Sequence, residues 1–163
     1  MTRQFEVVPA LVPSWDGMSE AAKVVAAFLA RVRVTGDPHA AEELMSPTVL
    51  CHQLVADTPD TVHRSPSEYA QHVNDMLRSF GRFHYTVLDF IADEDRVYVR
   101  WRQDGHHMLN EDGSPGTKAP LTDLGSAVYR VEDGRIAEYW IQLDRMGLQH
   151  QVDALTASAP KKR

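Results

Sequence analysis

Asp123, His107 and His106 stand inside strand-like runs of the segment 97–151. Ionisable groups set among residues that otherwise read as the wall of a sheet point to a pocket lined by a curved sheet. A carboxyl group partly buried in such a pocket has a raised pKa and can serve as general acid or base. A histidine titrates near neutrality and can shuttle a proton or polarise a carbonyl. Strand faces alternate every second residue. Parity therefore groups His107 with Val97, Val99 and Trp101 and turns His106 outward. The same rule groups Asp123 with Gly125 and Ala127, and Tyr139 with Ile141 and Leu143. Trp101 and Tyr139 can form an aromatic wall and a phenol donor for a flat ligand, or plain core. His52 shares parity with Leu50 and Leu54, an apolar face on which it is either a substrate-orienting group or a bonded core histidine. Cys51 would be a nucleophile only with a base and thiolate stabilisation nearby, and nothing local supplies them.

Other chemistries lack their signatures. The chain has eight histidines, but no His-x-x-x-His, His-x-His or Cys-x-x-Cys spacing, so no metal is expected. Gly-x-Gly-x-x-Gly and Walker-type loops are absent too, so no cofactor is expected. Gly113-Ser114-Pro115-Gly116 reads as a turn.

The elements that must position these groups are readable from caps and periodicity. An extended arm covers 1–18, with Pro9, Pro13 and Gly17. Ser19 caps a helix to about Val34, with Ala21, Val25, Phe28 and Val32 at helical spacing and Gly36 as its stop. Asp37-Pro38 opens a short helix that ends near Met45. A strand at 48–55 and a loop at 56–64 follow. Ser65-Pro66-Ser67-Glu68 is a capping box for a helix to Phe80, whose apolar face carries Tyr69, Val73, Met76 and Phe80. Met76 is counted with the ligand-lining residues. Period two then predicts strands at about 84–93, 96–107, 119–131 and 135–143, with turns at 93–95, 110–116 and 132–134. Asp144 caps a C-terminal helix. Helices followed by an antiparallel meander, with one early strand between helices, make an α+β fold with helices on one face of a curled sheet. One domain over 19–155 and a disordered tail over 156–163 are expected.

Composition narrows the partners. The net charge of −6 and the lack of a basic run outside Lys161-Lys162-Arg163 argue against nucleic acid. No apolar run has membrane-spanning length, and no signal-peptide layout opens the chain. One cysteine excludes an intrachain disulfide and fits a reducing cytosol. A cytoplasmic protein is the expectation.

The element order, with Gly105-His106-His107, Gly134-Arg135-Ile136, Glu138, Trp140, Asp144, Gly147 and Gln151, resembles the SnoaL-like polyketide cyclases of the nuclear transport factor 2-like superfamily. The resemblance spans about 19–152. It implies a cone-shaped α+β fold with a curved antiparallel or mixed sheet wrapped around the N-terminal helices and enclosing a pocket. It also implies a homodimer that buries the outer sheet face. The family's aldol cyclases place a general-base aspartate on the last strand, at the position of Ile141 here, and an isoleucine cannot take a proton. Two further polar pocket positions fall on Gly125 and Ala127, which make room but carry no acid–base chemistry.

The leading expectation is a cofactor-independent enzyme acting on a small hydrophobic, polyketide-like molecule by general acid–base catalysis, as a cyclase, isomerase or dehydratase. Asp123 and His107 are the proton-transfer pair. His52 and Tyr139 orient the substrate, and Trp101, Ile141, Gly125, Ala127 and Met76 complete the lining. The alternatives are a non-catalytic small-molecule-binding protein on the same fold, motivated by Ile141, Gly125 and Ala127, and epoxide hydrolysis through a differently placed acid.

Overall fold

The computed structural model describes residues 17–157. The expected arm and tail lie outside these residues, apart from their last or first two positions. Helix α1 (Glu20–Phe28) starts at Ser19, whose hydroxyl accepts from the Ala22 N–H at 3.2 Å, and runs on into a π turn (Leu29–Arg33). Asp37 caps α2 (Pro38–Leu44) by accepting from the His39 N–H. The capping box of α3 (Pro66–Phe80) is complete: Ser65 accepts from the Glu68 N–H, and Glu68 accepts from the Ser65 N–H. Gly81 closes the helix at φ +66°, the left-handed region in which glycine carries no Cβ penalty.

Six strands form one mixed sheet in the order β2-β1-β6-β5-β4-β3. They are β1 (Met45–Gln53), β2 (Asp60–Arg64), β3 (His84–Asp93), β4 (Arg96–His106), β5 (Pro120–Glu132) and β6 (Arg135–Leu143). β1 pairs parallel with β6, and the other neighbours are antiparallel. The region expected as a loop at 56–64 contains β2, a five-residue edge strand that pairs with β1. Its Asp60 and His63 interrupt the apolar alternation by which a strand is recognised, and an edge strand with little burial needs none. The sheet is open, and helices complete the enclosure.

Period two puts Val97, Val99, Trp101, Gln103 and His107 on the concave face of β4 and its continuation, where all are buried. α1, its π turn and α3 cover this face. Phe28, Tyr69, Tyr129 and Tyr139 meet there with ring centroids 5.3–6.1 Å apart and fill one end of the interior with aromatic core. α4 (Arg145–Ala157) begins at Asp144, which accepts from the Gly147 N–H, and closes over the start of β5. No helix among the described residues is long and apolar enough to cross a membrane.

Candidate functional site

A cleft of about 680 Å³ opens between the end of α3, the 107–118 lobe, the start of β5 and α4. Its wall includes Phe80, His107, Leu109, Leu121, Leu148 and Val152. The lobe curls back on itself: the Gly116 N–H donates to the Met108 carbonyl, and a Cβ on Gly116 would stand 2.3 Å from the His107 carbonyl oxygen. Only glycine permits that approach.

His107 is 3% exposed and held from two sides. Its main chain bonds to Ala119 and Lys118, and its Nδ1 accepts from the Thr117 N–H at 3.3 Å. The Thr117 hydroxyl lies 3.2 Å from the same nitrogen and itself accepts from the Ala119 N–H, which leaves its proton for Nδ1. The neutral ring therefore carries its own proton on Nε2.

Asp123 lies on the same concave face, paired in register with Gln103. Burial pushes its carboxyl above the usual carboxylate range. The Arg33 guanidinium and the Leu124 N–H pull it partly back, and Asp144 adds to the rise. Its Oδ1 is buried with no hydrogen-bond partner among the described residues. His107 lies four residues beyond Gln103, roughly 13 Å along the strand at about 3.3 Å per residue. The two groups thus share a face but do not touch each other, and a ligand would have to span them.

Beside Asp123 sits a group that periodicity missed. Arg33 is 6% exposed, and its Nη2 donates to Gln103 Oε1 at 3.1 Å. Gln103 was legible, since it has the parity of Trp101 and His107. Arg33 was not, because α-helical spacing from Phe28 sets it on another face. The i→i+5 bonding of a π turn inserts a residue and brings Arg33 inward with Phe28 and Val32.

The remaining expected lining residues divide. Met76 is inside, with its Sδ 3.4 Å from Arg33 Nη1. Trp101 is fully buried and stacked on Tyr85, and Tyr139 packs in the aromatic core. Ala127 is buried, and Ile141 packs against the same core. Directly above Gly125 the chain's own side chains take the room, since a Cβ there would lie 2.5 Å from Trp101 and 2.8 Å from Leu143, and Gly125 borders a separate cleft of about 360 Å³ with Leu124, Gln142 and Asp144. His52 is on the convex face and not in the cavity. It bonds to Glu138 at 2.7 Å and Thr61 at 2.8 Å and stacks on Trp140, because its register partner on β6 is Trp140 while Cys51 takes the inward position. Cys51 is buried, and burial raises its thiol pKa, contrary to what a nucleophile needs.

Comparison with solved structures finds the same fold at low identity. A candidate polyketide cyclase from Acidithiobacillus ferrooxidans is 22% identical with a TM-score of 0.71, over 84% of this chain and 96% of that one. IdmH, a candidate polyketide cyclase from Streptomyces antibioticus, is 24% identical with a TM-score of 0.68, over 83% and 99%. AclR, a candidate hydroxylase from Streptomyces galilaeus, is 19% identical with a TM-score of 0.68, over 88% and 87%. No curated protein matches. The family model for the SnoaL-like polyketide cyclases matches residues 23–152, from α1 through most of α4 and including every residue of the cavity described above, and this chain belongs to that family.

Proposed function

We propose that this protein is a cofactor-independent enzyme that acts on a small hydrophobic, polyketide-like molecule by general acid–base catalysis. The observation that carries the reading is Asp123: a carboxyl group on the concave face, raised in pKa by burial, with one oxygen unpartnered. As base, Asp123 takes a proton from the carbon next to a carbonyl. The C–H electron pair moves to the carbonyl oxygen as an enolate. Reprotonation elsewhere isomerises the substrate, attack on a second carbonyl closes a ring, and loss of a β-hydroxyl eliminates water. His107, with its proton on Nε2, serves as the donor at the cleft end. With Ile141 at the last-strand position, Asp123 stands in for the missing base from the neighbouring strand.

The reading is tested without knowing the substrate, by proton exchange at the α-carbon of 2-tetralone in deuterium oxide, followed by NMR. The expected result is acceleration over buffer that falls by about 100-fold or more in Asp123→Asn, the usual scale of a general base. No acceleration by the native protein, or an unchanged rate in the variant, would remove the proposal.

A second reading, a non-catalytic binding protein, is favoured by the Trp101 and Leu143 packing over Gly125, which occupies the region beside the missing base. A ligand that co-purifies and stays unchanged on incubation would support it. We also propose a cytoplasmic homodimer joined through the convex face of the sheet.

A further inference from the structure

The walls of the cleft beside His107 differ in how they are held. The end of α3 belongs to a helix that buries Tyr69, Ala70 and Val73. The lobe is bonded to that helix end, since the Met108 and Leu109 N–H groups donate to the Ser79 carbonyl at 3.0 and 3.3 Å. The start of β5 is paired with β4. The remaining wall is α4, which contributes Arg145, Leu148, Gln149 and Val152. These positions follow the i, i+3, i+4, i+7 spacing of one helix face. Yet no residue of α4 is fully buried. A segment with few buried apolar contacts opens at low free-energy cost while the rest of the fold stays intact.

α4 is fastened at its start and again at Gln151. At the start, the Asp144 N–H donates to the Leu124 carbonyl at 2.9 Å, and the Asp144 carboxylate accepts from the Gly147 N–H at 2.9 Å. The ladder between β5 and β6 ends at the Gly125–Leu143 pair, so β6 does not reach Thr122. The Gln151 side chain takes the strand's place there and bonds both main-chain groups of Thr122, at 2.9 and 2.8 Å. Two such bonds are exchanged for bonds to water at small net cost, unlike a packed core.

Both proton-transfer groups need an opening at this point. His107 lines the cleft but is 3% exposed. Leu121 lies in the cleft wall, and Asp123 is the next residue on the same face of β5, with its Oδ1 closed off. Thr122 lies between them, and it is the residue that Gln151 holds.

We infer that α4 is a lid. It swings about its Asp144 end when the Gln151–Thr122 latch parts, and the open form admits a ligand from the cleft to His107 and onward to Asp123. Reclosing shuts water out of the site. This rests on the reading of the cleft as the ligand site and adds how that site is entered.

The test reads access to His107 and needs neither ligand nor turnover. Diethyl pyrocarbonate acylates the free imidazole nitrogen of histidine, and peptide mass spectrometry gives a rate for each residue. His39 and His84, both exposed, set the scale. In the native protein His107 is expected to react about tenfold or more slowly than they do. Its rate is expected to change little with urea below the unfolding transition, because a local opening exposes little surface. Gln151→Leu is expected to raise the His107 rate about tenfold, the scale of the lost bonds, and to leave His39 and His84 unchanged. A native His107 rate equal to that of the exposed histidines overturns the inference. So does a native rate that climbs with urea as steeply as global unfolding, whether or not Gln151→Leu folds. An unchanged His107 rate in a folded Gln151→Leu overturns it too. The α-proton exchange that tests the catalytic reading is a separate measurement, so either can fail alone.

Discussion

Asp123 brings a carboxylate into a place where water is scarce, and that has a measurable cost. Its folded-state pKa is raised, first by burial and against the pull of Arg33. A carboxyl group raised in this way contributes its full stability below its unfolded pKa, and the contribution is lost as pH rises through the folded value. Asp123→Asn should therefore melt at a higher temperature than the native protein at neutral pH. The gap should close as pH falls through the ordinary carboxylate range, which differential scanning calorimetry at several pH values would show. More stable and less active is the signature of a group kept for chemistry. Gly125 makes the opposite point. A Cβ there meets the buried Trp101 ring, which has nowhere to move, and Leu143. Gly125→Ala should cost about 1–3 kcal/mol in urea unfolding, the usual scale of overpacking. A neutral result would mean that the space over Gly125 is open after all.

At the scale of elements, the sequence signals that worked were the local ones. The Ser65–Glu68 box, the Asp37-Pro38 start and the Gly81 stop depend on residues within one turn, and all three appear in the structure as read. The meander strands fall within one residue of their expected ends because alternation and turn residues agree. The π turn of α1 and the edge strand β2 escaped, since neither has a local signature. α4 is a different case: it carries no fully buried residue. It is held by Gln151, which accepts from the Thr122 N–H at 2.9 Å and donates to the Thr122 carbonyl at 2.8 Å. Gln151→Leu should release this clamp. Amide exchange in α4 should speed up by about tenfold, as expected for loss of about 1–1.5 kcal/mol, while the melting temperature moves little. Equal acceleration throughout the sheet would show that α4 is part of the global core.

The molecule as a whole has a concave face closed by helices and a convex face without them. The convex face carries Glu138, bonded to both His52 and Arg130, and the His52–Trp140 stack with Arg96 over the indole. Leu124 is 44% exposed and Ile91 62%. A second copy seated here would cover these apolar residues, so light scattering at micromolar concentration should give twice the chain mass. Leu124→Glu should shift the population toward monomer. A monomer in the native protein would refute the convex-face dimer.

Apart from β2 and the π turn, the element types, their order, most boundaries and the inward parity of Asp123 and His107 were legible in the chain itself. Each follows from interactions between residues close in sequence or from the period of a strand. Tertiary structure alone decided what those groups meet. Gly125 read as room until Trp101 arrived from β4, and His52 read as a cavity residue until Glu138 and Trp140 took it on the convex side. Arg33 had no part in the reading of the chain, and the π turn sets it inward against rings from β3 and β4. The physical reason is the same in each case. Parity says which way a side chain points, whereas burial, pKa and free volume depend on neighbours that are distant in sequence, and one residue of helical phase is enough to exchange solvent for core.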